Sequence, residues 1–170
     1  MAKRRLLILS VLLGLLLAIP LAQAGAATLS TSDVTPISDT TRVGTSTLTR
    51  TAGGVSFSLQ TSGLEPGHAV TVWWMVANPD GGLAVLYAAG HVIGGDGVAG
   101  FGGSLRVGDD GGYAMGDDRT LEDALGATVF LVVRDHGPAK PGMVDDQVHT
   151  FGACNTACHD LQMSVHAPAS

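Results

Sequence analysis

The sequence predicts an all-β domain, an antiparallel Greek-key or immunoglobulin-like β-sandwich of seven or eight strands with at most one short helix. A barrel is the alternative way to close such a sheet. Three observations point there. From Thr45 onward apolar and polar residues mostly alternate over short runs, the two-residue period of a strand with one face buried. Glycine supplies 24 of the 170 residues, about twice its usual ~7%, and clusters between those runs. Beyond the first two dozen residues no stretch carries the 3.6-residue period of an amphipathic helix. Charged residues make up 14% and apolar residues 45%, which excludes a disordered acidic tail, a coiled coil and a helical bundle.

The N-terminus has a different character. Lys3, Arg4 and Arg5 precede an apolar run from Leu6 to Ile19, and Ala22-Gln23-Ala24 supplies a small-x-small cleavage pattern. Residues 1–24 therefore read as a signal peptide cut before Gly25. The run is 14 residues long and is followed at once by Pro20, whereas a bilayer-spanning helix needs ~20. No second apolar span follows, so the mature chain is expected to have no integral membrane domain and to be periplasmic or secreted. Without the three leading basic residues, six Lys and Arg face 15 acidic residues, a net charge of −9. That balance excludes a nucleic-acid partner. About 146 residues remain, enough for one domain that needs no metal or cofactor merely to fold. Within them residues 25–44, rich in Ser and Thr, read as a leader or loose edge strand, and residues 45–170 as the sandwich.

The elements follow in order. Thr45 to Arg50 and the alternating Val55, Phe57 and Leu59 form two strands joined by Thr51-Ala52-Gly53-Gly54, a hairpin connection. Leu64-Glu65-Pro66-Gly67 makes a turn, with proline presetting one backbone angle and glycine free to take a positive one. The strand from His68 is apolar on both faces and so central, with Trp73 and Trp74 pointing to opposite sides and both into packing. Leu83 to Ile93 and Val98 to Val107 are further strands, the latter bearing glycines that suggest a bulge or close approach. Thr120 with Asp123 predicts one short helical turn over Leu121 to Leu125. Thr128 to Val133 is a β-branched buried strand, 137–146 a loop, and Leu161, Met163 and Val165 mark the inward side of the closing strand.

The phrase Gly63-Leu64-Glu65-Pro66-Gly67-His68, leading into a strand, resembles the Gly-Leu-x-Pro-Gly-His turn of chordin-type CHRD domains and copper–zinc superoxide dismutases. The resemblance spans about a dozen residues and implies an antiparallel sandwich. Dismutases continue with a His-x-His copper pair where this chain has Val72-Trp73-Trp74-Met75, so the enzymatic activity is not implied. The same phrase and Val133-Arg134-Asp135-His136-Gly137-Pro138 resemble uncharacterised exported bacterial proteins, a likeness that names no reaction.

Cys154 and Cys158 are the only cysteines, and an oxidising compartment closes such a pair into a disulfide. Its small loop contributes only about 2 kcal/mol in the chain-entropy account, so its role is local. Cys154 to His159 also resembles a rarer, one-residue-longer variant of c-type haem attachment, but without the helices that enclose haem. Cys154, His159 and Met163 have the Cys-x4-His-x3-Met spacing that resembles the ligand loop of azurin-like cupredoxins, with a second imidazole from His68, His91, His136 or His149. Cys158 competes for the thiolate in that reading. Arg134, Asp135 and His136 leave a buried strand and Asp145, Asp146 and His149 return shortly after, so a folded-back loop would assemble an acid–base cluster. The plainer reading is a salt bridge at the loop base. Asp109, Asp110, Asp117 and Asp118 could ligate calcium but match no EF-hand spacing. The expectation is thus an exported binding or structural module with no cofactor, whose partner is an unspecified protein or carbohydrate. A copper electron carrier and a hydrolase using Asp135, His136 and His149 are the competing classes.

Overall fold

The computed structural model describes residues 26–110, 114–115 and 119–169. The expected signal peptide and part of the Asp109–Asp118 loop lie outside the described residues. The strands are β1 (Thr28–Pro36), β2 (Gly44–Thr51), β3 (Gly54–Thr61), β4 (His68–Ala77), β5 (Leu83–Val92), β6 (Ala99–Arg106), the two-residue β7 (Ala114–Met115), β8 (Thr128–Pro138) and β9 (His159–His166). One helix, α1, spans Val144–His149. Every pairing is antiparallel, in the lateral order β6-β3-β2-β1-β9-β8-β4-β5-β7. The sheet curls until it is nearly closed. A Cβ added to Gly103 of β6 would lie 3.0 Å from the Ala88 carbonyl oxygen of β5, so the two strands approach closely there and a larger residue would push them apart by a few tenths of an ångström.

Burial follows the alternation in β2 and β3, while β4 is buried on both faces. Leu48, Phe57 and Leu59 face Val72, Trp74, Leu131 and Val133 across a dry core, and Phe57 meets Trp74 edge to face with centroids 4.8 Å apart. Such a pair adds about 0.5–1.5 kcal/mol beyond its area. Trp73 points the other way and is also buried, as both-sided packing requires. The Leu64–Gly67 turn is stitched to the β5–β6 connection, since Gly67 takes φ +78° and its N–H donates to the Ile93 carbonyl.

Three sequence expectations need correction. Of the stretch expected as a leader or loose edge strand, Thr28–Pro36 is a strand but not an edge: Thr28–Val34 of β1 pair along β2, and Thr35 and Pro36 pair with β9, so β1 links the two halves of the sheet. Its inward residues are small hydroxyls, with Val34 fully buried, which is why hydropathy misses it. The expected helix over Leu121–Leu125 is a turn, because the Asp123 carboxylate accepts the N–H groups of Leu125 and Gly126 and closes the chain on itself. The helix starts instead at the end of the expected 137–146 loop and runs on to His149, with Asp145 and Asp146 in its first turn and His149 in its last, matching its dipole.

The third correction concerns β9, whose buried residues are Gln162, Ser164 and His166; of the apolar set Leu161 still packs against the core, but Met163 is half-buried and Val165 is 40% exposed. The physical reason is the opposite wall. His166 Nδ1 and Nε2 lie 2.9 and 2.8 Å from the Ser30 and Ser46 hydroxyls. Thr61 donates to Gln162 Oε1 at 2.6 Å, and Gln162 Nε2 donates to the Ser62 carbonyl. Buried Arg50 donates to the carbonyls of Ala124, Ala127, His166 and Ala167. Most of these buried polar groups are thus paired, as burial demands, while Arg50 Nε and Ser164 Oγ have no hydrogen-bond partner among the described residues.

Candidate functional site

The second cluster of chemically capable side chains lies on the outer face of β4, β5 and β8. The chain from Ala139 to Cys158 folds back over that face. Gln147, fully buried, clamps it: its Nε2 donates to the carbonyls of His136 and Pro138, and its Oε1 accepts the Lys140 N–H. Asn155 fastens the far end, donating its N–H to the His136 carbonyl at 2.7 Å and its Nδ2 to that of Pro138. Gly137 allows this approach, since a Cβ there would meet the Asn155 carbonyl at 2.1 Å and its φ is +81°.

His136 sits under this cover with no exposed surface. Its Nδ1 faces the Ala153 carbonyl at 3.0 Å and Cys158 Sγ at 3.4 Å. Its Nε2 lies 2.7 Å from the Thr71 hydroxyl, which accepts the Trp73 indole N–H at 2.6 Å. A carbonyl only accepts, so Nδ1 carries the proton, and the Thr71 O–H donates to Nε2. Burial pushes the His136 pKa below the ordinary histidine value, with Arg134 adding to the shift against the opposing pull of Ala153, Asp135 and Asp160. The imidazole is neutral and fixed in one tautomer.

The residues expected to converge divide among three places. Asp135 faces inward and meets His68, with His68 Nδ1 2.9 Å from Oδ2, and also accepts the Gly137 N–H. Arg134 faces outward, ion-paired with Asp160, donating to the Phe151 carbonyl and stacked 3.9 Å over the Phe151 ring. His149 is exposed, bonds Asp145 one helical turn earlier and tilts against Tyr87; Asp146 is exposed on the same helix. Strand alternation separates Asp135 from its neighbours, and α1 carries His149 away. His68, Thr71 and Gln147 are the participants that sequence reasoning left out of the cluster. An out-of-phase hydroxyl in an otherwise apolar strand was the one available sign, at Thr71.

Cys154 and Cys158 form the disulfide, with Cα atoms 5.3 Å apart. For the copper reading, His159 is exposed at the start of β9 and Met163 is half-buried opposite Val132. The metal-capable grouping that the structure does bring together is different. His136, Cys154 and Cys158 each place a donor atom within 4.8 Å of the others. A groove of about 320 Å³ lies elsewhere, along the β2–β3 hairpin and β6, between Thr49, Thr51, Gly54, Ser104 and Arg106. Among the described residues no helix is long and apolar enough to cross a membrane. No protein-family model matches the sequence, and searches of curated proteins and solved structures return no significant match.

Proposed function

We infer that the mature chain is an exported, non-catalytic module, a Greek-key β-sandwich that binds or scaffolds a protein or carbohydrate partner and does not transform it. The observation that supports this reading is the commitment of the acid–base side chains to the fold. His136 has both ring nitrogens engaged under full burial, and His149 is spent on its own helix. Gln147 and Asn155 serve as backbone clamps. A general base needs a free lone pair within reach of substrate, and the buried His136 offers none.

The sandwich reading rests on two four-strand arrays, β6-β3-β2-β1 and β9-β8-β4-β5, whose inner faces pack through Phe57 and Trp74. The chain crosses between them after β3 and again after β5, and β6 returns beside β3 around the β4–β5 hairpin, the pattern of a Greek key. The likeness to CHRD-type and dismutase-like sandwiches fits the place of the Gly63–His68 turn, at the first crossing. Burial of both tryptophans where dismutases carry copper histidines argues against extending it to the reaction.

A hydrolase remains the second reading because of one pair: Asp135 holds His68 through Nδ1, leaving the other ring nitrogen to act. Activated esters and aryl glycosides incubated with the purified mature chain separate the two. The module reading expects rates equal to buffer, unchanged in His68→Ala. Turnover that His68→Ala or Asp135→Asn abolishes in a folded protein would establish the hydrolase. Intact-mass measurement of the exported chain, expected to begin at Gly25, tests the export.

A further inference from the structure

The disulfide and the histidine beneath it form a grouping that the module reading does not use. We propose that reduction of Cys154–Cys158 turns this corner into a copper(I) site whose ligands are Cys154 Sγ, Cys158 Sγ and His136 Nδ1. The three atoms already lie within 4.8 Å of one another. Two thiolates and an imidazole are a soft set, and soft sulfur donors select monovalent copper. Three donors leave a structural zinc, which closes with four, incomplete.

The site is prepared by contacts that do not depend on the sulfur–sulfur bond. Asn155, within the loop, is held to the His136 and Pro138 carbonyls, so opening the disulfide leaves the loop over the imidazole. The other face of the ring is also ready. A metal-bound histidine donates its remaining N–H to a fixed acceptor, and Thr71 Oγ1 lies 2.7 Å from Nε2. With two lone pairs, that hydroxyl can accept from His136 and from Trp73 together. The Ala153 carbonyl, which loses its donor, is half-buried and can turn to water. His159 and Met163 take no part, which separates this site from a cupredoxin loop.

The chemistry balances as follows. A trialkylphosphine, as reductant, supplies two electrons and leaves with water's oxygen as the phosphine oxide, while the two sulfurs take up two protons. Copper(I) then displaces both thiol protons to solvent. The imidazole stays neutral, losing its Nδ1 proton as Nε2 gains one.

The test uses the full mature chain, reduced with the phosphine and titrated anaerobically with copper(I) against a colorimetric chelator. We expect one equivalent per chain, bound at least 100-fold more tightly than in Cys154→Ser/Cys158→Ser. Imidazole nitrogen NMR should show His136 protonated at Nδ1 in the oxidised protein and at Nε2 with copper bound. This readout needs no substitution of the fully buried His136. Affinity no better than the double variant overturns the proposal. So does tight binding that leaves the Nδ1 proton in place, or loss of the folded spectrum on reduction alone.

Discussion

Acidification should weaken this protein through His166 before its carboxylates titrate. The ring lies inside the sheet between Ser30 and Ser46, 1% exposed. Burial, reinforced by the Arg50 guanidinium, holds its pKa down to about 4. In the unfolded chain a histidine titrates near ~6.5. Between those values the unfolded state binds a proton that the folded state refuses, so stability is complete above pH ~6.5 and falls as pH drops toward about 4. At ~1.36 kcal/mol per pKa unit the full loss is roughly 3 kcal/mol, levelling below the folded value. Two serine hydroxyls could accept from an imidazolium, so the opposition comes from desolvation and Arg50, not from missing partners. Urea unfolding from pH 7.5 to 4 should show the midpoint falling steeply in the wild type and less in His166→Gln. Some slope should survive there because His136 is shifted in the same direction. Identical slopes in the two proteins, or a His166 ring that titrates by NMR near ~6.5, would refute the reasoning.

Two further substitutions probe separate parts of the fold. Arg50→Ala strips four carbonyls of their buried donor and should cost on the order of 3–6 kcal/mol by chemical denaturation. Arg50→Lys should recover only part of it, lacking the forked geometry; full recovery would mean charge alone is at work. In Gly90→Ala the new Cβ would lie 2.3 Å from the Val148 carbonyl and 2.9 Å from Thr71 Cγ2. It should lift α1 from β5 at a cost of about 1–3 kcal/mol, reported by faster hydrogen exchange at Gln147 and Val148. Unchanged exchange there would show that the helix adjusts without leaving the sheet.

The sequence carried most of the scaffold because the apolar strands obey their own alternation. Val55, Phe57 and Leu59 are buried, and the run around Trp73 and Trp74 is covered on both faces, for reasons visible in those residues alone. What it did not carry depends on partners far along the chain. Nothing near Gln162 or His166 announces that Thr61, Ser30 and Ser46 will stand across from them. The candidate site has the same character. Cys154 and Cys158 form the expected disulfide, yet Asp135 found His68, 67 positions away, and not the neighbours in its own loop. The short helix escaped because Pro141 and Gly142 read as loop, while Val148 packs inward only once β5 is beneath it.

The inverted face of β9 has a bearing on how that strand finds its place. Sliding it by one residue would bring Met163 and Val165 to the interior and send the polar set to water, an arrangement that oil-and-water sorting by itself prefers. The native alignment is therefore addressed by the Gln162 amide and the His166 imidazole, whose partners stand at fixed places, and by the extra residue between Asp160 and Gln162 that fixes the count. An engineer who replaced those groups with aliphatic ones would keep a greasy strand and erase its address, inviting two seatings of similar depth where there is now one.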